Sequence, residues 1–177
     1  GLAETIWQRM ETTFQSATWL NWIQLLPEDV IRTHPLLGYG YASALMDGGK
    51  VEASTARLQD VERTLERAGQ LDDAWIVKIA KIRAYNAQVL GDIASVMRYT
   101  RLALDHLPSD DNVQRGMIVG TLGIAYWSSG DLEAASQAFS DFRASMRRAG
   151  NLYFVIASTF ALADVKIAQG HLQDAVR

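Results

Sequence analysis

The chain has 177 residues, with 17 Lys and Arg against 20 Asp and Glu, for a formal charge of −3. That length predicts one domain or one stretch of a repeat array, and the acidic balance argues against a dedicated nucleic-acid surface, which shows as a basic excess. Apolar residues at 49% suffice for a sizeable core, while the absence of cysteine excludes disulfides and thiolate metal sites.

From the start of the chain, apolar spacing predicts helices over about residues 3–15 and 18–26. No basic start followed by an apolar stretch marks a signal peptide, so a cytoplasmic address is expected. Trp19 and Trp22 lie in an apolar stripe and are expected in the core. Pro27 then precedes Glu28 and Asp29, an arrangement suited to a first helical turn, where proline needs no donor and acids meet the positive end of the dipole. It opens a helix over about 28–33. Pro35, after the extended step Thr33-His34, opens the next over about 35–47.

From here the punctuation repeats. Gly49, Gly91, Gly130 and Gly170 each precede a polar residue and then an apolar one, at spacings of 42, 39 and 40 residues. Arg67-Ala68-Gly69-Gln70-Leu71 returns as Arg148-Ala149-Gly150-Asn151-Leu152, 81 residues later, or two units. After Gly130 the apolar positions Leu132, Ala135, Phe139, Phe142, Met146 and Ala149 advance by three and four, the spacing of one helical stripe. Val51, Ser54, Leu58, Val61, Leu65 and Ala68 repeat it, as do Ile93, Val96, Thr100, Ala103 and Leu107. The helices before each glycine are apolar on more than one side, as expected of helices sandwiched between neighbours. Seven positions before each glycine stands a small residue, Ala42, Ala84, Gly123 or Ala163, where two backbones can approach closely. Further helices are therefore expected over about 50–68, 71–90, 92–106, 110–129, 131–149 and 151–169. No strand alternation is sustained. The uncharged run from Gly116 to Gly130, 15 residues with four glycines, is too short and polar to span a bilayer.

Leu122-Gly123, Tyr126, Gly130-Asp131, Ala135 and Phe139 resemble a tetratricopeptide repeat (TPR), as do Ala84, Gly91-Asp92, Ala103 and Pro108. The fourth unit fits through Ala163, Gly170 and Ala175, the first through Ala42, Gly49 and Leu58. The period is longer than the family's, which lengthened second helices explain. Trp19-Leu20-Asn21-Trp22 through Leu26-Pro27, then His34-Pro35-Leu36-Leu37 and Tyr41-Ala42-Ser43-Ala44-Leu45, resemble the repeat region of large ATP-dependent LuxR-type (MalT-like) transcriptional regulators. The resemblance implies an all-α, right-handed superhelical TPR-like solenoid of antiparallel helix pairs. Units are expected at about 1–34, 35–70, 71–109, 110–150 and an incomplete 151–177, as a fragment of a longer chain. It also implies a sensing and protein-contact segment. A nucleotide-binding switch and a helix-turn-helix would belong to other parts of the polypeptide, leaving this segment no direct nucleic-acid contact. Self-association through exposed terminal helices is a further expectation.

Catalytic constellations are not found. His34, His106 and His171 are far apart in sequence and have no cysteine partner. Gly48-Gly49-Lys50 lacks the upstream glycine and the Ser or Thr of a phosphate loop. Asp72-Asp73 and Asp110-Asp111 stand where helices should start, so capping explains them. Neither enzyme activity, a cofactor nor a metal is expected. Binding remains. In TPR arrays the first helix of each pair lines a concave groove, so the resemblance points to Leu36, Tyr39, Ser43 and Met46, then Lys78, Lys81, Tyr85 and Gln88. The third unit offers Met117, Gly120, Ile124 and Trp127, and the fourth Ala157, Phe160, Asp164 and Ile167. Tyr39, Lys78, Lys81, Tyr85, Trp127, Phe160 and Asp164 are the main candidates, suiting a ligand with apolar faces and hydrogen-bonding edges. For Trp127 both stacking on a ligand and packing on the next repeat stay open. Trp75 is expected in the core. The expected partner is a small-molecule inducer or a protein; a stand-alone adaptor gripping an extended peptide is the alternative.

Overall fold

The structure, a computed structural model, describes residues 16–175, so the helix expected over about 3–15 lies outside the described residues. Short polar caps and left-handed glycines cut the rest into helices: α1 (Ser16–Ile23), α2 (Glu28–Thr33), α3 (Pro35–Asp47), α4 (Val51–Ala68), α5 (Asp73–Val89), α6 (Ile93–His106), α7 (Asn112–Ser129), α8 (Leu132–Arg148), α9 (Leu152–Ala168) and the short α10 (Leu172–Ala175). From α5 to α9 the starts are chemically uniform. Asp72, Asp92, Asp111, Asp131 and Asn151 each accept the backbone N–H three residues on, satisfying a donor that the helix leaves open. The acidic pairs are therefore caps, with Asp72 and Asp111 as the capping members.

Six of the stops share one turn, whereas α2 and α6 end on extended His34 and Leu107. At Gly130, φ is +84°, and the following Asp131 N–H reaches back to the Tyr126 carbonyl at 3.0 Å. This six-to-one bond closes the helix end and needs a left-handed residue, which glycine adopts without a Cβ penalty. Gly49, Gly69, Gly91, Gly150 and Gly170 share the positive φ. The recurring punctuation is thus one turn used again and again.

The helices pair as α3 with α4, α5 with α6 and α7 with α8, and the first helices also meet side by side, α3 on α5 and α5 on α7. This is the expected solenoid of helix pairs. The opening core gathers Trp19, Ile23, Ile31, Leu37, Leu58, Val61 and Leu65 around α3 and α4. Farther along, Val96 packs with Ala125, Ala103 and Leu107 with Ile118, and Phe139 with Leu162 and Val165. Successive pairs are thus joined mostly by apolar contact.

The joint between α4 and α5 has a polar component as well. Arg83 grips Glu62 through both guanidinium nitrogens, at 3.1 and 2.6 Å. Beside it Asn86 Nδ2 donates to Ser54 Oγ at 3.1 Å and Thr55 Oγ1 at 3.3 Å, while Ser54 Oγ donates to the Ala42 carbonyl. Arg57 similarly holds Glu28, at 2.6 and 3.1 Å, tying α4 to α2. Burial draws the Arg57 guanidinium down, but the hydrogen bond and charge of Glu28 outweigh it and leave it above its usual value.

Two expectations are corrected. Trp22 is 52% exposed, whereas Trp19, three residues earlier, is buried against α3: helix α1 has one inward face, and Trp22 lies off it. Helix α9 is not sandwiched along its length. It packs on α8 and α10, and Leu152, Tyr153, Ile156, Phe160 and Ile167 face solvent.

Candidate functional site

Where α3, α5, α6 and α7 converge they leave a cavity of about 220 Å³. Helix α3 contributes Tyr39, Ser43 and Met46, one residue per turn, and α5 contributes Lys81, Ile82, Ala84 and Tyr85. Helix α7 supplies Met117, Ile118 and Thr121, and α6 supplies Tyr99, Thr100 and Ala103. Small Ala84 and Ala103 leave the space that the larger side chains surround. The site therefore draws on three consecutive helix pairs.

Its walls combine flat apolar faces with hydroxyls. Tyr39 is buried and meets Trp75 edge-on, ring centroids 6.0 Å apart at 80°, which fixes its orientation. Tyr85 is partly exposed. The Arg98 guanidinium lies 4.5 Å from the Tyr99 ring centroid and donates to its hydroxyl at 2.8 Å, with Arg83 at 5.8 Å from the same ring. Thr100 gives its hydroxyl proton to the Val96 carbonyl at 2.7 Å, so its oxygen can only accept further. Lys81 donates to Gln114 Oε1 across to α7.

Of the groove residues predicted from the sequence, Tyr39, Ser43, Met46, Lys81, Tyr85 and Met117 stand together around this cavity. Lys78 lies one turn away in an adjoining cavity, its ammonium 4.9 Å from the Trp75 ring centroid. Trp127, 40% exposed, Phe160, 69% exposed, and Asp164 lie outside both. Gly120 does not face a groove. A Cβ there would meet the Phe142 ring at 3.3 Å, so the position turns toward α8.

Tyr99, Thr100 and Thr121 escaped the sequence reasoning. Counting along first helices omits α6, the second helix of its pair, which forms part of the wall here, and stepping from Gly120 to Ile124 on α7 passes over Thr121. One signal was available: Thr100 is a polar residue at a stripe position that is otherwise apolar, and it is buried.

Among the described residues no group of three metal-ligating side chains comes together, and no helix is long and apolar enough to cross a membrane. His34 Nδ1 is taken up by the Val30 carbonyl at 2.8 Å, and His106 Nδ1 meets Asp73 Oδ1 at 2.8 Å.

Comparison with known families matches residues 77–177 to the MalT-like TPR region. That stretch runs from α5 onward and contains the α5, α6 and α7 walls of the cavity, while the α3 wall precedes it. No curated protein and no solved structure matches the chain. Capped helices, left-handed glycine stops and stacked pairs agree with a family match over more than half of the 177 residues, and the chain belongs to the MalT-like TPR region family.

Proposed function

We propose that the chain is the non-catalytic sensing and protein-contact segment of a LuxR-type transcriptional regulator acting in the cytoplasm. Its ligand, a small-molecule inducer, binds in the cavity between α3, α5, α6 and α7. The observation that carries this reading is the cavity's composition from three consecutive pairs. A ligand held there contacts all three at once, so its binding energy depends on their relative tilt. It shifts the population between two curvatures by the difference in its affinity for them, and by nothing else. A nucleotide-binding switch and a helix-turn-helix elsewhere in the same polypeptide would read that curvature.

Membership in a repeat family that is generally non-catalytic supports the reading. A second reading, an adaptor that captures an extended peptide, draws on the exposed row Tyr153, Ile156 and Phe160 of α9.

The test is a thermal-shift panel of sugars, aromatic acids and short peptides, run on the protein and on Tyr85→Ala/Met117→Ala. A compound that raises Tm of the parent but not of the double variant supports the inducer site. If every stabilising compound acts equally on both, the site lies elsewhere.

A further inference from the structure

The cavity does not end at Lys81. One turn toward the start of α5, a second cavity of about 600 Å³ opens between α5, α6 and α7. The step is the same on all three helices. Lys81 and Tyr85 give way to Lys78, Ala103 gives way to Leu107, and Met117 gives way to Gln114. Lys81 belongs to both walls. The two cavities adjoin at Lys81, whose ammonium is held by Gln114.

The chemistry changes sharply along that step. Tyrosines and methionines wall the first cavity. The second carries Lys78 and Lys81 on α5 and sets Asp105 and Asp111 opposite, on α6 and at the cap of α7. Asp73 and His106 pair with each other at its edge, and Asp111 caps the Gln114 N–H at 3.0 Å. The Lys78 ammonium rests on the Trp75 ring rather than on a carboxylate. Such a wall gives a net anion one attractive and one repulsive half, and does the same to a net cation. A ligand bearing a carboxylate and an ammonium on neighbouring atoms satisfies both halves.

Resting on the reading of the first cavity as the ligand site, we infer that the ligand is a free α-amino acid with a large apolar side chain. Its carboxylate meets Lys78 and Lys81, its ammonium meets Asp105 and Asp111, and its side chain enters between Tyr85, Tyr99 and Met117.

Calorimetric titration with four probes tests this. L-phenylalanine carries both charges, N-acetyl-L-phenylalanine only the carboxylate, L-phenylalaninamide only the ammonium, and L-alanine the zwitterion without the ring. L-phenylalanine should bind about tenfold or more tightly than each of the others. Lys78→Gln should weaken L-phenylalanine about tenfold and, by removing a like charge, bind L-phenylalaninamide no less tightly than the parent does, while an unchanged helical circular dichroism spectrum reports that the variant is folded. Equal binding of the three phenylalanine probes overturns the charged-head inference while leaving the inducer site standing. Equal binding of L-alanine and L-phenylalanine removes the link between the two cavities. Binding by none of the four overturns the amino-acid assignment outright.

Discussion

The ring of Phe139 fills the space that a side chain at Gly123 would need: a Cβ there would stand 2.8 Å from Phe139 Cε1 and 2.9 Å from Cδ1. Both residues are buried, where α7 crosses α8. Alanine is the better helix former by about 1 kcal/mol, but the overlap costs about 1–3 kcal/mol. Gly123→Ala is therefore expected to lose up to about 2 kcal/mol on balance. The denaturant midpoint reports it, and a variant as stable as the parent would show that Phe139 yields freely.

Asn86 is 3% exposed, and its Oδ1 accepts no hydrogen bond although Nδ2 has two hydroxyl partners. A buried amide satisfied on one side contributes little net stability. Asn86→Leu should thus stay within about 1 kcal/mol of the parent, because Ser54 keeps its bond to Ala42. A loss several times larger in chemical denaturation would reveal a network in which the amide is indispensable.

Asp92 caps α6, and hydrogen bonds from the Ser95 side chain and then its backbone N–H hold the carboxyl below its usual value. A folded-state value lower than the unfolded one adds stability above the unfolded pKa, and that stability disappears as pH falls through the folded pKa. At about pH 7 the Asp92→Ala variant should melt below the parent, and by about pH 3 the gap should narrow. Melting curves at both values decide it; a constant gap would place the effect of Asp92 outside its charge.

For any compound bound in the cavity, Tyr85 and Trp127 are expected to part company. Tyr85 lines the cavity and Trp127 does not. Tyr85→Ala should weaken binding about tenfold, and Trp127→Ala should leave the titration unchanged. If Trp127→Ala were the damaging change, the ligand would sit toward the fourth unit.

Much of this architecture is written locally in the chain. Steps of three and four in Leu132, Ala135 and Phe139 mark a helix before any packing is known. Helix α3 runs from Pro35 to Asp47, the span its proline and following glycines predict. What stays hidden is the direction of a side chain relative to a neighbour in the fold. Gly120 counts as a groove position along α7, yet the helix is rotated so that it meets Phe142. Trp22 is as apolar as Trp19, and only the single inward face of α1 separates their fates. Tyr99 joins the cavity from a second helix, because α6 packs on both α5 and α7, which no spacing rule encodes.

The bidentate grip of Arg83 on Glu62 gives one joint of the rod a dependence that its oily joints lack. Dissolved ions screen charge, and they barely weaken contact between hydrocarbon groups. The bend between the first two pairs is accordingly one that ionic strength can loosen.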